Sequence, residues 1–369
     1  MADDALPASP APAGVRFERL WPYAPFAVGT AAFGLGLIRL AGPPFSYDEG
    51  ITIRNATRSV GRIWRSARRT EAPHLVYYLL MKAWLAALGT SVWVARFPSV
   101  VFGALAAAVL TAVGIRLFGR TAGLVAGATL ATAAYVMQYS QWARGYSLAL
   151  FLTVLASYAF VRAVDAPGGR WVALWAVALV AACWVSLFAV SVLLAQVAAY
   201  LAMRPRPRPR LASAALLAVV AAVTPIVVLV GTADNGQLAW IPPPTIRRVV
   251  VQTWDWSSRN PFALVAAAIG ISALVVGGMG RFARWKGILV VAWTIAPFLV
   301  TLALSAFQPA FVSRYLLTAA AGLALLVGAG AAALPRRASL VLIALVALGA
   351  GLQLAHYYVA PGRPFSSLF

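Results

Sequence analysis

Acid is what this sequence has least of. Only nine of its 369 residues are Asp or Glu, against 30 Lys and Arg, and 11% are charged in all. Cysteine is limited to Cys183, so no internal disulfide can form, and that thiol reads as a small buried hydrophobe. Histidine is limited to His74 and His356, and neither a Cys-x-x-Cys nor a His-rich ligand run is present. There is no Gly-x-Gly-x-x-Gly and no Walker loop, so the common nucleotide-binding signatures are missing. The glycine runs lie inside apolar stretches and read as helix packing.

What is present is apolar. At 62% hydrophobic residues, the chain carries more apolar surface than a soluble domain hides, so part of its solvent is lipid. The stretches 97–117, 211–230, 288–306 and 316–334 reach or approach the roughly 20 residues that cross a bilayer core. They are expected to be helices, because an unpaired backbone group in lipid costs several kcal/mol. The expected fold class is all-α, a polytopic transmembrane helical bundle forming one domain over 19–369. Residues 1–18 read as a disordered cytoplasmic tail without the charged start and cleavage site of a secretory signal. The net charge of +21 does not point to nucleic acid, because the basic residues are dispersed in short loops, the pattern that orients membrane proteins.

Orientation follows from those loops. Arg204, Arg206, Arg208 and Arg210 alternate with prolines in one short connection, which is placed in the cytoplasm. Alternating from there puts Arg116 and Arg120, Arg170, Arg281 with Arg284 and Lys286, and Arg336 with Arg337 on the same side. The stretch 74–88 is then too short to span and reads as re-entrant or interfacial, while 171–203 reads as a hairpin of two short helices. About 11 spans result, in a plasma-membrane protein with its N-terminus inside. Two external connections are long enough for chemistry, 42–95 and 232–260.

The first of these holds Asp48, Glu49 and Glu71, three of the nine acids. Ser46-Tyr47-Asp48-Glu49 fits a capping box. Arg54, Arg58, Arg62, Arg65 and Arg69 then recur every three or four residues opposite Ile53, Ala56, Val60, Ile63 and Ala67. Such a stripe predicts an amphipathic helix lying in the membrane interface, its arginines on lipid phosphate or on anionic headgroups generally. Downstream come Glu71-Ala72-Pro73-His74 with Tyr77 and Tyr78, Arg96-Phe97-Pro98-Ser99, Gln141-Trp142-Ala143-Arg144-Gly145-Tyr146-Ser147 and Ser313-Arg314-Tyr315.

In their order and their shared external placement these motifs resemble the GT-C glycosyltransferases. The similarity is to the branch of dolichyl-phosphate-mannose protein mannosyltransferases and bacterial aminoarabinose lipid A transferases, dense from 45 to 162 and thinner beyond. The resemblance implies transfer of a hexose such as mannose from a polyprenyl-phosphate sugar, with inversion, to a glycan, lipid or protein acceptor. It implies Asp48 as the general base, a role worth typically 10²–10⁴ in rate. Arginine suits a phosphate leaving group through its bidentate fork, which nominates Arg144, Arg314, Arg58 and Arg62, with His74 beside them. Tyr78, Tyr146 and Tyr315 are candidates for substrate contact or for the interfacial aromatic belt. Glu49 and Glu71 read either as further catalytic acids or as a helix cap and a partner for the arginine stripe. A divalent metal stays an open reading, its ligand set confined to Asp48, Glu49, Glu71 and His74. The competing function is a transporter or flippase, which favours ionisable residues near the midplane and paired halves; here the acids sit in loops.

Overall fold

The computed structural model describes residues 21–66, 74–166, 169–203, 209–232, 241–276 and 284–359, and every regular element among them is helical. After a 3₁₀ turn at Trp21–Tyr23 come α1 (Ala24–Leu37), α2 (Tyr47–Ala56), α3 (Val60–Ser66) and α4 (Leu75–Leu88). The long α5 (Val92–Phe118) is followed by α6 (Arg120–Thr132), α7 (Ala134–Ser140) and α8 (Tyr146–Asp165). Next are α9 (Gly169–Val185), α10 (Val190–Ala202), α11 (Pro209–Thr232), α12 (Ile246–Trp256) and α13 (Pro261–Val276). The chain closes with α14 (Arg284–Leu304), α15 (Ala319–Ala333) and α16 (Arg336–Val359).

The hub of the bundle is α15, whose residues from Ala319 to Ala331 are all buried. Lipid tails are as apolar as leucine, so helices in membranes associate through close backbone approach at small residues. The sequence of α15 supplies them on every side. A Cβ added at Gly330 would collide with the carbonyl of Ala266 on α13, and one at Gly328 with the carbonyl of Ala122 on α6. At Gly322 it would meet Thr294 of α14. The same device joins α5 to α6, where a Cβ on Gly114 would stand 2.7 Å from Cα of Gly123. Gly119, at φ +96°, makes the reversal between those two helices, a conformation that costs glycine nothing.

The chain is a multi-pass membrane protein. Four described helices are long and apolar enough to cross a membrane: Val92–Phe118, Tyr146–Asp165, Arg284–Leu304 and Arg336–Val359. Five shorter apolar helices accompany them, among them Leu75–Leu88, Gly169–Val185 and Ala319–Ala333. Length and apolarity alone thus return fewer spans than the expected eleven. The two short helices expected at 171–203 are present as α9 and α10, linked through a 3₁₀ turn at Leu187–Ala189, but they part rather than pair: α9 packs on α8 and α10 on α14. The expected loop 232–260 contains a helix, α12, bent by 92° from α13. Arg204, Arg206, Arg208 and Arg281 lie outside the described residues, and Arg210 stands exposed in the first turn of α11.

The amphipathic helix expected after Asp48 is two helices rather than one. Helix α2 ends at Thr57, beyond which Arg58 N bonds to the carbonyl of Asn55 at 3.1 Å instead of continuing the helical ladder. The apolar stripe is cut there: Ala56 and Ile63 are buried, whereas Val60 is exposed.

Helix packing at α15 yields a paired prediction. Gly330→Val forces a side chain into the Ala266 backbone, and overpacking of this kind costs about 1–3 kcal/mol or more. Gly351→Ala, on α16, meets nothing within 4 Å. Thermal unfolding in detergent is expected to fall by several degrees for the first and to hold or rise for the second.

Candidate active site

The site is built around a fully buried carboxylate, Glu49. Ser46 caps α2, its Oγ accepting from Glu49 N while the Glu49 carboxylate accepts from Ser46 N at 2.9 Å, so the capping box is complete. The same carboxylate receives Arg96 of α5 in two bonds, Nε to Oε1 at 2.7 Å and Nη2 to Oε2 at 3.0 Å. Oε1 also accepts from Ala143 N at 3.0 Å. Both partners are fully buried, Arg96 at 1% and Glu49 at 0% exposure. The remaining donors of Arg96 go to the carbonyls of Leu40, Pro43 and Pro44 at 2.8–2.9 Å. One ion pair therefore ties the exit of α1, the start of α2, the second turn of α5 and the turn before α8.

Directly beside it, Asp48 faces the other way. Its Oδ2 accepts from Arg314 Nη1 at 3.0 Å, with the carboxylate partly exposed. Arg314 lies in a 3₁₀ turn, Ser313–Leu316, which two tyrosines of α7 hold from beneath. Tyr135 donates to the Ser313 carbonyl, and the Tyr139 hydroxyl lies 3.5 Å from Ser313 Oγ. Tyr315 stacks on Phe188 at 4.0 Å.

Arg144, nearly buried, sits in the turn between α7 and α8 and points into the same space. Its Nη1 donates to Tyr78 Oη at 3.3 Å and lies 3.5 Å from Thr52 Oγ1; its Nη2 is 3.5 Å from His74 Nε2. The Arg144 carbonyl accepts from Ser99, and the Tyr146 ring lies 6.0 Å from its guanidinium. Burial, reinforced by the charges of Arg144 and then Arg314, holds the His74 imidazole well below its usual 6.5, against the opposing pull of a backbone bond at Val185. His74 is thus a neutral acceptor at neutral pH. Burial also raises the Tyr315 phenol, with the nearby cation Arg314 opposing the shift, so it is a protonated donor.

A family model described as dolichyl-phosphate-mannose-protein mannosyltransferase matches residues 72–231. The fold superposes on ArnT from Cupriavidus metallidurans bound to undecaprenyl phosphate with a TM-score of 0.60 and 17% identity, covering 96% of this chain and 68% of that one. The apo state of the same protein gives 0.59. The arabinofuranosyltransferase AftD from mycobacteria gives 0.58 at 15% identity, over 94% of this chain and 27% of that one. This chain has the GT-C fold. No curated protein sequence matches it.

Within this GT-C bundle, Asp48, His74, Tyr78, Arg144, Tyr146, Arg314 and Tyr315 come together at one end. Arg58 and Arg62 do not join them: Arg58 is turned onto Asn55 Oδ1 at 3.1 Å, and Arg62 is exposed on α3. Glu71 lies outside the described residues. Among the described residues no three His, Cys, Asp or Glu side chains group as a metal site, and Glu49 has both oxygens taken by five hydrogen bonds. Of the ligand set that the sequence left open, Glu71 lies outside the described residues and Glu49 is committed to Arg96 and the α2 cap. A cavity of about 720 Å³ lies away from the carboxylates; it is an apolar groove between α10, α13 and α14 whose one charged lining residue is Arg284.

Sequence reasoning missed the structural members of the site. Arg96 stood in a quoted motif without a role. Gln141 ties α1 through the carbonyls of Gly36 and Ile38 (2.8 Å each) and takes a bond from Tyr357 of α16 at 2.7 Å. Polarity at positions otherwise flanked by apolar residues was the available signal.

Two outcomes follow. Glu49→Gln leaves Arg96 buried without its charge partner, and breaking such a pair costs about 3–5 kcal/mol; Asp48→Asn, at a half-open position, is expected to leave unfolding nearly unchanged. A thermal-shift comparison in detergent separates them. As pH falls below 6.5, the unfolded chain protonates His74 while the folded chain resists. Stability from this residue is therefore present above that pH and lost as pH drops toward the folded value. His74→Gln is expected to flatten the difference in melting temperature between pH 7.5 and about 5.5.

Proposed function

We propose that this chain is a glycosyltransferase moving a hexose, with mannose the leading candidate, from a polyprenyl-phosphate carrier to an acceptor hydroxyl at the outer membrane face. The single observation that carries this reading is the juxtaposition of Asp48 with Arg314 at 3.0 Å, and with Arg144, at one end of an apolar bundle. Undecaprenyl phosphate bound to ArnT, a protein of the same fold, supports a lipid-phosphate donor.

Asp48 is the base. It takes the proton of the acceptor hydroxyl as that oxygen attacks the anomeric carbon. The bond from that carbon to the phosphate oxygen breaks, its electron pair stays on the phosphate, and the sugar inverts. A lipid phosphate is a good leaving group and needs cations rather than a strong general acid. Arg314 and Arg144 supply them, most effectively in a site with little water. The contact between Asp48 and Arg314 also aims the base before donor arrives. His74, neutral, orients Arg144; Tyr78, Tyr146 and Tyr315 line the sugar and phosphate space; Glu49 holds Asp48 in place through α2. The polyprenyl chain runs along the apolar groove on α14, which Val300 and Leu299 line near the site's end.

In a transfer assay with purified protein in lipid, Asp48→Asn is expected to lose about 10²–10⁴ in rate while retaining undecaprenyl-phosphate binding. Arg314→Lys is expected to weaken that binding, because the bidentate fork is lost. Leu299→Trp, which fills the groove, is expected to impair long-chain donors and spare short isoprenyl-phosphate donors. Consumption of no polyprenyl-phosphate sugar by wild type, with crude membrane acceptors supplied, would sink the proposal in favour of transport.

A further inference from the structure

Helix α12 has two faces with different neighbours. Thr245 caps it, its Oγ1 accepting from Arg248 N at 3.2 Å. Ile246, Val250 and Trp254 recur every four residues and are 87%, 61% and 40% exposed, with Arg247 exposed beside them. Gln252, Asp255 and Trp256 on the other side are buried. The helix is turned by 92° from α13, a member of the bundle that packs closely on the central α15. It therefore lies across the bundle rather than along it. It also lies at the end that holds Asp48 and Arg314, because Ser258, just past its C-terminus, accepts from the backbone N of Tyr135 at 3.2 Å.

The buried face reaches the site. Gln252 Nε2 donates to the carbonyl of Phe311 at 3.3 Å. Trp256 packs edge-on against Phe298 at 4.9 Å, and Phe298 against the fully buried Phe311. Phe311 is three residues before Arg314. The exposed face, in contrast, is an apolar stripe with an arginine on its flank, on a helix that runs across the bundle. That composition and orientation are those of a helix buried to its apolar face at the boundary of headgroups and acyl chains.

We propose that α12 is a lipid-surface helix: Ile246, Val250 and Trp254 insert into the phospholipid interface on the site's side, and the opposite face carries the segment that presents Arg314. The bilayer thereby acts as a structural partner of the phosphate-binding arginine. Insertion stands independently of the transferase reading; the link to Arg314 rests on it.

The chain's single cysteine makes the test direct. In a Cys183→Ala background, a nitroxide is placed in turn at Ile246→Cys, Val250→Cys and Trp254→Cys, in nanodiscs of phosphatidylcholine and phosphatidylglycerol. Collisions with oxygen and with a water-soluble nickel chelate give the depth. The expected result is preferential oxygen access at all three positions, at a depth of about 5–10 Å. Nickel access at all three would overturn insertion, and so would exclusion of both agents, which would mean that a second copy or another protein covers the stripe. Val250→Glu is then compared with Val250→Leu for undecaprenyl-phosphate binding in the same nanodiscs. A several-fold weaker affinity for the Glu variant alone supports the link; equal affinities would overturn it while leaving insertion standing. Failure of wild type to bind undecaprenyl phosphate would count against the transferase reading, and the depth measurement would still decide insertion.

Discussion

A single buried ion pair decides where everything near the site can be. Arg96 and Glu49 are removed from water together, and the desolvation of both is offset because nearly every donor and acceptor they own is used. The pair is worth less as a source of stability than as a constraint on geometry. Its partners belong to four segments that are distant in sequence. None of the four can shift without stranding a buried charge. Asp48, one residue away on the first turn of α2, inherits that rigidity while its own carboxylate turns to Arg314.

The same logic runs through the other polar side chains at this end. Gln141, Ser99, Tyr135 and Tyr139 each fasten a backbone carbonyl or hydroxyl of a neighbouring segment. The groups proposed for chemistry, Arg144 and Arg314, hang from this frame and aim into one space. The apolar remainder of the bundle is organised differently, by glycines and alanines that let helices touch. Precision is thus concentrated at one end, and the other helices supply a scaffold whose tolerance is set by side-chain volume.

Legibility in the sequence followed the range of the interactions. The capping box at Ser46 and Glu49 was readable because both partners lie within four residues. The short helices at 171–203 were readable from length, and the GT-C fold from the order of the external motifs. The bond between Arg96 and Glu49 spans 47 residues, and that between Arg314 and Asp48 spans 266. No local pattern announces such contacts. The arginine stripe misled because its periodicity continues through Thr57, whereas the backbone leaves the helical ladder there, Arg58 N bonding to the Asn55 carbonyl. Helix α12 was hidden in an expected loop, since prolines at 242–244 and its tryptophans resembled a belt more than an element.

The distance along the chain between Asp48 and Arg314 has a consequence for biogenesis. A ribosome delivers the aspartate early and the arginine only after most of the helices have entered the membrane. Until then Asp48 stands without the guanidinium that pairs with it in the folded protein, so the geometry at this end of the bundle is closed only by a late segment of the chain.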